Sequence, residues 1–128
     1  MTSAIMKATL VKVAMVLVAT TGIVAISGTP ASASSCSHSA TDKQTTSGQV
    51  VLAGSTGLAV RSGPHTSCTL LGRVPNGHWV TYWCHTAGDT VNGTNRWVRI
   101  DYSAGGGSGV LGGWVSSYYL NTASTQAC

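Results

Sequence analysis

Glutamate is absent from the 128-residue chain, and Asp42, Asp89 and Asp101 are its only carboxylate side chains. A sugar-cleaving site of the common kind needs two carboxyl groups, one of them with a raised pKa. Asp89 and Asp101 are the only pair in the patterned part of the sequence, and both fall in or beside loops, where solvated turn residues are the simpler reading. There is no Gly-x-Ser-x-Gly elbow, no metal-spaced histidine pair and no phosphate-binding loop. Cys84 and His85 are adjacent, but neighbouring strand positions point to opposite faces, so they make no Cys–His nucleophile. The sequence therefore predicts no catalytic residue, no metal and no cofactor.

Cationic charge is sparse as well. Beyond residue 33 five cations (Lys43, Arg61, Arg73, Arg96, Arg99) face the three aspartates, a net charge of +2 against +4 for the whole chain. A nucleic-acid footprint clusters Lys and Arg far more densely on one face. Apolar repeats at helical spacing are missing too, except near the N-terminus. There Lys7 and Lys12 precede a nearly wholly apolar run, Val13 to Ile26, and Ala31-Ser32-Ala33 has the small-x-small form of a signal-peptidase site. The run falls short of the about 20 apolar residues of a transmembrane helix. Residues 1–33 are read as a cleaved signal peptide, which leaves 95 residues from Ser34 as one small secreted domain with no membrane association. Acylation at Cys36 is the weaker alternative, because Ala33-Ser34-Ser35 lacks the leucine of a lipid-attachment box.

All four cysteines, Cys36, Cys68, Cys84 and Cys128, lie beyond that segment. An even count in a short exported chain reads as a disulfide framework, here with three possible connectivities. No Cys-x-x-Cys pair is present, which speaks against zinc. A domain of this size buries only about 60–65% of its unfolded surface, so each bridge, at roughly 2–4 kcal/mol, is a large share of its stability.

What is present is β pattern and turn. Residues 34–49 are rich in Ser and Thr and read as a flexible leader tied only at Cys36, with order beginning near Val50. Leu58 and Val60 alternate with Ala59 and Arg61. Thr69 to Val74 is a short strand ended by Pro75-Asn76-Gly77. In the longest strand, His78 to Cys84, the period of two puts Val80, Tyr82 and Cys84 on one face and Trp79, Thr81 and Trp83 on the other. Ala87 to Asn95 reads as a loop carrying a second Asn-Gly, at Asn92-Gly93. Arg96 to Ile100 follows as a strand with Val98 and Ile100 inward and Trp97 and Arg99 outward. The glycine-rich stretch Asp101 to Gly112 reads as a mobile loop leading to a closing strand at Trp114. The expected class is all-β.

Leu58-Ala-Val-Arg-Ser-Gly-Pro64, the Leu71-Gly72 to Gly77 spacing, Trp97 with Ile100, and Gly113-Trp-Val-Ser-Ser-Tyr-Tyr-Leu120 resemble the bacterial SH3 domain family over about Val51 to Leu120. The cysteines at 84 and 128 are further similar to those of small secreted single-domain SH3 proteins of actinomycetes. The resemblance implies a small SH3-like β-barrel over residues 50–121, with a tail at 122–128 ending in a disulfide cysteine. It implies, with the reach of the tail and the leader, the pairs Cys84–Cys128 and Cys36–Cys68. Ala59 stands where the family usually has asparagine, and the 101–112 loop is longer than usual. The implied function is a secreted, non-catalytic binding module, extracellular or cell-wall associated, acting as a monomer on wall peptidoglycan peptide or another extracellular peptide. A secreted inhibitor or a signalling protein with a protein partner is the alternative, and a wall hydrolase the least favoured reading. Outward parity (Trp79, Trp83, Trp97) and the outer strands of the resemblance (Arg61, Arg99, Trp114) give the expected ligand surface. Flat rings give contact area at low entropy cost, and arginine clamps carboxylates. Two of the four tryptophans are expected to serve the barrel instead.

Overall fold

Asn92-Gly93 sets the longest hairpin of the sheet. Both residues have positive φ, 48° and 91°, as a two-residue turn matching the strand twist demands, and asparagine and glycine tolerate this best. A computed structural model describes residues 35–107 and 109–128; the expected signal peptide lies outside the described residues. Its strands are β1 (Ser47–Gln49), β2 (Leu58–Arg61), β3 (Leu70–Val74), β4 (Trp79–Val91), β5 (Thr94–Ser103) and β6 (Val110–Ser116), followed by a 3₁₀ turn at Ser117–Tyr119. They form one six-stranded sheet in the order β1-β4-β5-β6-β2-β3 with antiparallel neighbours, curled into a half-barrel.

Three local expectations change. The stretch 87–95 is not a loop, since β4 and β5 stay paired out to Val91 and Thr94 with a register shift between Ala87 and Val91. The glycine-rich stretch is likewise shorter than read, because β5 and β6 pair from Asp101 with Gly112 through Ser103 with Val110, leaving only 104–109 between them. The leader is held well beyond Cys36. Ser47–Gln49 pair with β4, the Lys43 N–H donates to the Trp83 carbonyl at 3.0 Å, and Gln44 Nε2 donates to Ser124 Oγ at 2.6 Å.

The period of two holds for the core as far as Tyr82; a register shift between Tyr82 and Cys84 then sets Cys84 opposite Arg99, off the face of Val80 and Tyr82 expected for it. Leu58 and Val60 of β2, Val80 and Tyr82 of β4, and Val98 and Ile100 of β5 are buried together with Val50, Val74, Tyr102, Val115 and Leu120. Burial of each such aliphatic side chain contributes roughly 1.5–3 kcal/mol. Tyr82 carries a polar atom into this core, and its hydroxyl donates to the Thr122 carbonyl at 2.8 Å. Burial pushes the Tyr82 phenol above its ordinary pKa. Gly48 is required beside it, because a Cβ there would overlap the Tyr82 hydroxyl. Cys36 joins Cys68 and Cys84 joins Cys128, closing segments of 32 and 44 residues. In the chain-entropy account each closure is worth about 4 kcal/mol.

Candidate functional site

The six aromatic and arginine residues of the expected surface do not form one site. Trp79, 58% exposed, stands on β4 opposite Gln49 of β1. Trp83 is half-buried, and the Arg99 guanidinium lies 4.3 Å over its ring. Both are tied to Asp101: the indole N–H donates to Oδ2 at 3.1 Å and Arg99 Nη1 donates to Oδ1 at 2.9 Å. Arg99 Nη1 also donates to the Ile100 carbonyl. A guanidinium met by a carboxylate inside the molecule is a closed ion pair, so Arg99 is poorly placed to clamp a ligand.

Trp97 and Trp114 correct the outward-surface reading, because each is only 2% exposed. Parity identifies the side of the sheet, and the chain then covers that side. Trp97 donates its indole N–H to the Asp89 carbonyl at 2.8 Å, and the Asp89 N–H donates to the Pro64 carbonyl at 3.2 Å. Trp114 meets the leader, with His38 packed edge-on at 5.2 Å between ring centroids. The Cys36–Cys68 bridge fixes that cover. A shallow depression of about 460 Å³ remains there, lined by Cys36, His38, Leu71, Arg99 and Trp114 among others.

Arg61 and Trp97 meet at a different place, a cleft of about 250 Å³ between β2, the far end of β4 and the 3₁₀ turn. Leu52, Ala59, Arg73 and Tyr119 also line it. Leu52, Arg73 and Tyr119 were missed from the sequence, although Tyr119 lies in the closing motif itself. Leu52 is 66% exposed and sits at φ 59°, a left-handed conformation that costs a side-chain-bearing residue roughly 1–2 kcal/mol. Strained backbone positions cluster at functional sites, which makes this leucine a candidate for ligand contact. The β4–β5 hairpin reaches the same place: Val91 lines the cleft and Asn92 Nδ2 donates to the Tyr119 hydroxyl at 3.4 Å.

Arg61 donates Nη1 to the Cys68 carbonyl and Arg73 donates Nη1 to the Gly57 carbonyl, each at 3.1 Å. Among the described residues neither guanidinium has a carboxylate partner. The carboxylates are engaged in other contacts, that of Asp89 beside the cleft itself, since Thr66 lines it. Asp89 accepts from His65 Nδ1 at 2.8 Å through Oδ1, and from the Thr66 N–H at 2.8 Å and the Thr66 hydroxyl at 3.0 Å through Oδ2. The His65 hydrogen bond, then that of the Thr66 amide, hold its carboxyl below the usual aspartate value. That direction is opposite to what a general acid requires. Among the described residues no cysteine is free, and no group of three His, Cys, Asp or Glu is placed to hold a metal ion.

The family model described as bacterial SH3 domain matches residues 56–121, and the chain belongs to that family. A search of the curated proteins found no match. The matched segment contains β2 to β6 and the 3₁₀ turn, whereas β1, Cys36 and Cys128 lie outside it. Each disulfide thus ties a segment outside the family domain to a cysteine within it.

Proposed function

We propose that the protein is a secreted, non-catalytic binding module whose cleft between Leu52, Arg61, Arg73 and Tyr119 takes a peptide, with bacterial cell-wall peptide the favoured ligand. Membership of the bacterial SH3 family supports the binding role. The observation that carries the site is the cleft itself, where an exposed leucine and a tyrosine flank two arginines with no carboxylate partner among the described residues. Apolar anchors with a few convergent polar groups are what a ligand site needs. Two bridges suit an oxidising, extracellular location. The engagement of Asp89 and Asp101 in internal hydrogen bonds supports binding without turnover.

The test is depletion from solution by purified bacterial walls. The protein is expected to sediment with the walls and to release no reducing ends or free amines. Tyr119→Ala is expected to weaken binding by about 1–3 kcal/mol, as loss of an aromatic anchor does. Release of soluble wall fragments, or failure to sediment at all, contradicts the proposal.

A further inference from the structure

The cleft has a chemical preference that follows from the pairing of β2 and β3. Ala59 is directly opposite Arg73, so their side chains share a face, and Arg61 lies two residues along β2 on that same face. A register shift between Val60 and Arg61 sets Leu70 opposite Arg61. All three of Ala59, Arg61 and Arg73 line the cleft. Between the two guanidinium-bearing positions the floor is therefore the methyl of Ala59, which fills little space and offers no polar atom.

Each arginine is steadied by one backbone carbonyl, Cys68 for Arg61 and Gly57 for Arg73. A guanidinium has five N–H donors in a planar fork, so one such bond leaves most of them for a ligand while restricting the side chain's freedom. Arg99 shows the contrast, since it is neutralised by Asp101. The two guanidinium groups are drawn toward opposite ends of β2, and with neither carrying a carboxylate partner among the described residues the face between them is cationic. The apolar rim of Leu52 and Tyr119 makes it an anion site for a peptide rather than for a small inorganic ion.

We infer that Arg61 and Arg73, standing on either side of Ala59, form a two-armed cationic clamp, and that the ligand is a peptide carrying a free carboxyl group, at its C-terminus or on a side chain. The inference rests on the peptide-binding reading of this cleft, and names what that reading leaves open.

The experiment compares purified bacterial walls before and after their carboxyl groups are converted to amides with carbodiimide and methylamine. Native walls are expected to retain the protein at least tenfold more strongly than amidated walls, with a steep loss of retention as salt rises. Arg73→Gln, on an exposed position of edge strand β3, is expected to lower retention on native walls at least tenfold and to make native and amidated walls equivalent. Ala59→Gln, which fills the floor and leaves both charges in place, is expected to do the same; thermal melts of both variants identify any loss of folding, and the native-against-amidated ratio for the unaltered protein needs no variant. Equal retention on native and amidated walls overturns the clamp and leaves wall binding intact. No retention on either overturns the peptide-binding reading and the clamp together.

Discussion

Asp89 fastens several parts of the molecule through one residue. Its carboxylate holds His65 and Thr66, its N–H reaches the Pro64 carbonyl, and its own carbonyl accepts from the buried Trp97. Asp89→Ala is expected to destabilise the protein by about 1.5–3 kcal/mol, the range for hydrogen bonds to a charged group, read as a lower denaturant midpoint. The folded-state pKa is lowered, so this contribution is present above the ordinary aspartate value of 3.8 and is lost as pH falls through the depressed one. An unchanged midpoint would show that the 64–68 segment is held without it. The same residue explains a limit of sequence reading. Period-two alternation correctly put Trp97 on the outer side of β5, but nothing local says that Pro64 and Asp89 will cross over that side and bury it.

Turn chemistry at Asn92-Gly93 was legible from two residues, whereas the length of the hairpin was not. Residues 87–91 include glycine, aspartate and threonine, a poor strand composition by propensity, and pairing with β5 overrides it. The leader shows the same effect at the other edge. Ser47–Gln49 carries no apolar alternation because it is a short edge strand, recruited by the ladder of β4. The C-terminal tail is a comparable annex. Ala127 bridges His85 in parallel, and His85 Nδ1 shares a hydrogen bond with Ser124 Oγ at 2.9 Å. Burial, and then the charge of Arg96, push the His85 pKa below its ordinary 6.5. The folded state favours neutral His85, so its contribution is complete above that value and declines as pH falls below it toward the depressed folded value. Melting temperatures followed from pH 8 to pH 5 are expected to fall less for His85→Gln than for the unaltered protein. Parallel curves would contradict this account of the tail.

Across the whole molecule, fold and ligand site were legible to different degrees because they depend on different distances in the chain. Glycine-bounded strands such as Leu58–Arg61 and the Gly113–Leu120 motif carry the fold locally, and the family match over residues 56–121 agrees with them. The site depends on what converges from afar: Leu52 before β2, Arg73 on β3, Val91 at the hairpin end and Tyr119 in the 3₁₀ turn. Of the six residues expected on the ligand surface, Arg61 and Trp97 line this cleft, while Arg99 and Trp114 line the depression beneath the leader. The measurement that separates the two places is amide and indole chemical-shift mapping of the labelled protein titrated with soluble peptides released from bacterial walls. The account predicts that shifts concentrate at Leu52, Ala59, Arg73, Val91, Tyr119 and the Trp97 indole. Shifts centred instead on His38, Leu71 and Trp114, or on Trp79, would contradict it.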